Sequence, residues 1–152
     1  MFRGGSIINL DAKGRLALPT RYRAPIVERY NGELVLTIHD DGCLLLYPRP
    51  EWEEIERRLV RLPNQDRRVQ ELQRMLMGHA TDVEMDGHGR ILIPRMLRAH
   101  AGLEKRVALA GVGNKFEIWR EETWDKLREQ WKKRAQRDED EPLPEALRTL
   151  TL

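Results

Sequence analysis

Asp11-Ala12-Lys13-Gly14-Arg15-Leu16-Ala17-Leu18-Pro19 returns as Asp86-Gly87-His88-Gly89-Arg90-Ile91-Leu92-Ile93-Pro94, 75 residues further on. The match continues past the prolines, where Arg23-Ala24 recurs as Arg98-Ala99 at the same spacing. Asp, Gly, Arg, two aliphatics and Pro in one register mark an internal duplication, which decides how the rest of the chain is parsed.

Within each copy the chemistry is that of a hairpin. Residues 6–11 read as a strand, Ala12-Lys13-Gly14 as a tight turn and Arg15 to Leu18 as the returning strand. Gly14 and Gly89 are the positions free to take positive φ. Pro19 and Pro94 end the return, because proline donates nothing to a ladder. Asp11 and Arg15, like Asp86 and Arg90, flank the turn and suit a charge-assisted clamp. Asp11, Gly14, Asp86 and Gly89 are therefore read as residues that build the hairpins.

Beyond the motif the two halves keep step. Thr20 is placed to cap a helix running through Tyr22, Ile26 and Val27, and Asn31-Gly32 to turn out of it. Two β-rich runs, Leu34 to Ile38 and Cys43 to Tyr47, follow around Asp40-Asp41-Gly42. Helices are expected over Pro48 to Leu62 and Asn64 to Met77, with Gly78 as a stop. In the second half, Pro94 opens a helix that Gly102 ends. Val107 to Ala110 and Lys115 to Trp119 form a hairpin, and a helix carries Trp124, Leu127 and Trp131. Val35 is matched to Val107, Tyr47 to Trp119 and Trp52 to Trp124, now 72 residues apart, so the second copy has lost three residues between helix and hairpin. The expected organisation is α+β, two tandem ββ-α-ββ-α repeats. Repeat domains are placed at 5–52 and 81–124, linking helices at 53–80, and a C-terminal helix with an acidic tail at 125–152. The tail from Arg137 is expected to fray, apart from a short turn near Leu147 and Leu150.

Composition narrows the function. The chain has 152 residues, 34% of them charged, with a net charge of only +2. The positive charge is concentrated around the two motifs, whereas acids collect at Asp138, Glu139, Asp140 and Glu141. Lone Cys43 forms no internal disulfide and reads as a small buried residue in a reducing compartment. No stretch reaches the ~20 apolar residues of a membrane span, and the N-terminus has no secretory pattern, so a cytoplasmic location is expected. No phosphate-binding glycine loop, nucleophile elbow or metal-ligand spacing appears, and neither a cofactor nor a small-molecule substrate is expected.

Lys13 at one turn tip and Arg15 at its base form a protruding basic element. A two-stranded ribbon fits a major groove, where basic side chains reach phosphates and guanine edges. His88 takes the place of Lys13 in the second copy, with Arg90 matching Arg15, so the two hairpins read DNA unequally. Two rivals stand beside this reading: an oligomeric protein-binding adaptor, and a small nuclease built on Asp11 and Asp86.

The two nine-residue segments resemble the DNA-binding motif of the AbrB/SpoVT family. Two copies, together with the opening Met1-Phe2-Arg3-Gly4, Leu44-Leu-Leu-Tyr-Pro-Arg-Pro-Glu-Trp52, Gly78-His79-Ala80 and Asn114-Lys-Phe-Glu-Ile-Trp119, resemble the MraZ family. That resemblance implies a swapped-hairpin, AbrB-like β-barrel with flanking helices, formed by the two repeats as an internal pseudo-dimer. It implies a transcriptional regulator, non-enzymatic and nucleoid-associated. Its partners would be double-stranded DNA with repeated boxes upstream of the bacterial division and cell-wall operon, and further copies of itself in a ring-like homo-oligomer. It carries DNA-binding roles to Arg15 and Arg90 by direct match, to Lys13 by position, to His88 with less support, and to Arg3 through the opening tetrapeptide.

Overall fold

A computed structural model describes residues 1–137 and 142–152. The acidic run Asp138 to Glu141 lies outside the described residues. The chain divides into two compact units, Met1–Glu121 and Glu122–Leu152. The first carries β1 (Phe2–Asn9), β2 (Arg15–Ala17), α1 (Thr20–Tyr30), β3 (Glu33–Ile38), β4 (Leu44–Pro48), α2 (Arg49–Arg61) and α3 (Arg67–Leu76). It continues with β5 (Thr81–Glu84), β6 (Arg90–Leu92), α4 (Arg95–Ala101), β7 (Arg106–Gly113) and β8 (Phe116–Arg120). The second unit holds nearly all of α5 (Glu121–Arg137), where Trp124 and Trp131 meet edge to face at 5.5 Å, and the short α6 (Glu145–Arg148).

The pairing departs from simple hairpins. β1 does not ladder with β2. It runs antiparallel to β7 of the second half, from Phe2↔Gly113 to Asn9↔Arg106. β5 pairs in the same way with β3 of the first half. Among the described residues β2 and β6 pair only with each other, Leu16 opposite Ile91. The turn glycine and the proline leave three residues of strand on the far side of each turn, and these three ladder with the other copy's three. Each short strand buries its aliphatic against its counterpart, and Leu16, Leu18, Ile91 and Ile93 are all fully buried.

The other strands form one sheet in the order β1-β7-β8-β4-β3-β5. Exchanging each strand for its repeat partner reverses this order and leaves it unchanged, which is the signature of a pseudo-twofold axis. The axis passes between Leu45 and Glu117, paired across β4 and β8, and between Leu16 and Ile91. The expected closed barrel is not seen. β1 and β5 end the six-stranded sheet, and β2·β6 forms a separate two-stranded ladder.

The register also corrects one repeat correspondence. Leu34 pairs with Pro48 and Val107 with Arg120, so Leu34, not Val35, occupies the place of Val107. Inward positions then agree: Leu34, Leu36, Val107 and Leu109 join one core with Phe2, Tyr22, Ile26, Leu97 and Phe116. Thr20 is the first residue of α1 rather than its cap, since Pro19 holds the cap position and no side chain bonds there. Asp66 caps α3 by accepting from the Arg68 N–H at 2.8 Å. Cys43 is buried, and burial pushes its thiol up to about 12.

Because Leu16 and Ile91 lie on the axis, truncating either one loosens both halves. Ile91→Ala is expected to lower stability by about 2–5 kcal/mol. Urea unfolding should show one transition moved to lower denaturant, rather than the selective loss of one repeat.

Candidate nucleic-acid interface

Each turn is built by its aspartate. Asp11 Oδ1 accepts from the backbone N–H of Lys13 at 3.0 Å and of Arg15 at 2.8 Å, while Oδ2 accepts from Arg15 Nε at 2.6 Å. Asp86 repeats the pattern with His88 N–H at 2.9 Å, Arg90 N–H at 2.9 Å and Arg90 Nε at 3.0 Å. Gly14 and Gly89 complete the turns at φ +83° and +75°, each donating its N–H to the aspartate carbonyl. These bonds favour the charged carboxylates. Donation from the Arg15 N–H, foremost, draws Asp11 from 3.8 down to about 2, and Asp86 is lowered in the same way, foremost by Arg90. Both oxygens of each carboxylate are thereby engaged in holding the turn.

The arginines are held by one end only. Nε of Arg15 and Arg90 is fixed on its aspartate, and the terminal guanidinium nitrogens take no protein hydrogen bond among the described residues. Alternation along β2 and β6 turns Leu16 and Ile91 inward and Arg15, Ala17, Arg90 and Leu92 to the opposite face. Leu92 is 54% exposed there. The two arginine Cα atoms lie about 8 Å apart, from two residues of rise and one strand spacing. Lys13 and His88 are exposed at the two turn tips. The structure therefore brings Arg15 and Arg90 onto one face, with Lys13 and His88 at its ends. Arg3 is elsewhere: it sits on β1 opposite Val112, about 20 Å of strand from Asn9.

Arg23 and Arg98, conspicuous in the sequence only as recurring basic residues, support the turns from behind. Arg23 Nε donates to the Leu18 carbonyl at 2.8 Å and Arg98 Nε to that of Ile93 at 3.0 Å. Each lies across the opposite copy's glycine. A Cβ on Gly14 would fall 2.6 Å from Arg98 Cζ, and one on Gly89 would fall 2.1 Å from Arg23 Nε. The backbone ties follow the same exchange, with Leu18 N–H donating to Gly89 O at 2.8 Å and Ile93 N–H to Gly14 O at 3.0 Å. The 75-residue recurrence of these arginines was visible in the chain; that each serves the other copy's turn was not.

Comparison with known proteins shows what the chain is similar to. The family described as "MraZ protein, putative antitoxin-like" matches residues 1–75 and again 76–145. A protein of Thioalkalivibrio sulfidiphilus named "Transcriptional regulator MraZ" is 58% identical over 93% of this chain and 91% of its own length. One of the same name from Halorhodospira halophila is 50% identical over the full length of both. Another from Methylococcus capsulatus is 55% identical over 89% of each.

Two outcomes test the turn chemistry. Gly89→Ala should destabilise the fold by at least the ~1–2 kcal/mol of a left-handed residue, and adding Arg23→Ala should return part of that loss in a double-mutant cycle. Asp11 is depressed in the fold, so its contribution is complete above 3.8 and disappears as pH falls through about 2. Urea midpoints of Asp11→Asn should accordingly fall less steeply than those of the unmodified protein across that acid window.

Proposed function

This chain belongs to the MraZ family, and on that premise we propose that it is a transcriptional regulator that binds duplex DNA through the outward face of the β2·β6 ribbon. The observation that carries this reading is the pair of half-tethered arginines. Fixing Nε on an aspartate removes much of the freedom of a long side chain. It leaves the remaining donors of each planar fork without a protein partner among the described residues, available to guanine O6 and N7 or to a phosphate. A major groove about 12 Å wide admits such a ribbon. Arg15 and Arg90 contact base edges, and Lys13 contributes at one tip. His88 is a weaker cation at the other, so the pseudo-twofold site reads its two sides unequally. The strand exchange between halves supports a swapped-hairpin arrangement of AbrB type.

One ribbon offers few phosphate contacts, and each contact contributes a salt slope of about −0.9. A homo-oligomer presenting several ribbons to repeated boxes supplies the missing affinity by effective concentration, about 10²- to 10⁴-fold. The targets that fit are repeated boxes upstream of the division and cell-wall operon, with repression as the outcome of occupancy.

Gel shifts on a duplex carrying repeated boxes test this at two salt concentrations. Arg15→Ala should abolish the specific complex, and Arg15→Lys, which keeps the charge without the fork, should retain only salt-sensitive, sequence-indifferent binding. Light scattering should report an unchanged oligomer in both variants. An intact specific shift in Arg15→Ala would defeat the proposal, and binding to protein partners with none to duplex DNA would favour the adaptor instead.

A further inference from the structure

The pseudo-twofold axis relates most of the first unit to itself, and the places where it fails are informative. β1 begins at Phe2, whereas β5 begins at Thr81, the match of Ser6. α1 runs to Tyr30, whereas α4 ends at Ala101, the match of Ile26. The first half thus owns a four-residue strand extension and an added helical turn that the second half lacks. These two additions face one another across a cleft of about 400 Å³.

The lining has one chemical character. Arg3 comes from the strand extension, Arg29 and Tyr30 from the added turn, and Arg21 and Tyr22 from the start of α1. Among the described residues, no acidic one lines it. Arg21 is posed in advance: its Nη2 donates to Ser6 Oγ at 3.2 Å and to Tyr22 Oη at 3.0 Å, and its Cζ lies 4.5 Å over the Tyr22 ring. Gly4, at φ +94°, leaves Arg21 the room it needs against β1, since a Cβ there would stand 3.2 Å from Nη2. Tyr22 Oη in turn donates to the Arg3 carbonyl, tying the two walls together. Phe2 stacks on Phe116 at 4.3 Å and closes the floor. The side chains of Arg3 and Arg29 make no hydrogen bond or ion pair among the described residues. Where the repeat places a counterpart for Arg21 it places Met96, and for Tyr22 it places Leu97. A feature kept for folding alone would be expected in both halves. This one exists in one half: Arg3, Arg29 and Tyr30 stand in the segments added to it, and Arg21 and Tyr22 replace the apolar Met96 and Leu97 of the other half.

We propose that this cleft binds a nucleoside di- or triphosphate, with Arg3, Arg21 and Arg29 on the phosphates and Tyr30 against the base. Three guanidinium groups without a neighbouring acid suit adjacent phosphates better than a single carboxylate. The volume is that of a small-ligand site and matches one nucleotide. Tyr30, half-buried against the core and lining the cleft, supplies an aromatic ring that suits a planar ring irrespective of base identity. The site is separate from the β2·β6 ribbon, so it stands or falls independently of the DNA reading.

Isothermal titration of the full chain with ATP, pyrophosphate and adenosine tests the assignment. ATP is expected to bind, adenosine to bind at least about 100-fold more weakly, and pyrophosphate to fall between them. Arg3→Ala and Arg29→Ala should each weaken ATP by about tenfold or more, while exposed Arg95→Ala, on α4, should change it less than about twofold. Arg29→Lys and thermal melts guard against a folding defect, and Arg15→Ala should leave ATP binding intact. The assignment is overturned if ATP gives no saturable heat at millimolar concentration, if Arg95→Ala is as damaging as Arg29→Ala, or if adenosine equals ATP. It is likewise overturned if ATP fails to bind and Arg29→Ala instead weakens duplex binding or alters the oligomer, which would give the cleft to DNA or to a second copy.

Discussion

The contact between Leu16 and Ile91 is the one on which the rest of this fold depends. Among the described residues, neither three-residue strand has any other ladder partner. Their pairing fixes the pseudo-twofold axis, brings the two turns onto one surface and closes the core beneath them. The long strands follow: once β2 and β6 meet, β1 and β5 run on to the other half's sheet rather than folding back. The two turn carbonyls, Gly14 O and Gly89 O, receive their hydrogen bonds from the opposite copy for the same reason. Local turn chemistry and global pairing agree at every step, as expected of a sequence with little frustration.

Inside this frame the aspartates and arginines divide the work. Asp11 and Asp86 shape the turns by accepting backbone N–H groups, and in doing so they stay ionised and hold one nitrogen of each arginine. Arg23 and Arg98 press on the turn glycines from behind. The surface face therefore carries charge that is already oriented, while the glycines beneath it leave no room for a side chain. Recognition by such a face loses less side-chain entropy than recognition by free arginines.

What was legible in the chain was whatever is local. Asp, Gly, Arg and Pro announce the turn wherever they stand, and Asn31, Gly32 and Gly102 stop their helices with the left-handed backbone their residue types favour. The α+β class and the duplication were equally open to reading. Partner choice was left open by the residues themselves, because a strand of three residues has the same alternation whether it pairs with its own hairpin or with a distant copy; exchange between the halves entered only as what the family resemblance implies. The one-residue slip at Val35 had a similar source: valine matches valine by eye, yet the ladder aligns Leu34 with Val107. The rearward role of Arg23 and Arg98 was hidden because it depends on that exchange. Arg3 joins the turn residues only through the resemblance of its opening tetrapeptide, and the length of β1 separates them.

The exchange of strands has a further consequence for the chain as an inherited object. Two separate copies joined in this way would form a dimer whose stability varies with concentration. Joining them through α2 and α3 makes the same pairing intramolecular and independent of dilution. It also releases the halves from identity. In a dimer of identical subunits every substitution appears twice; here Lys13 and His88, or the added turn of α1 and its absence in α4, change one side at a time. A single polypeptide thereby keeps the architecture of a symmetric pair while each half is free to acquire work of its own.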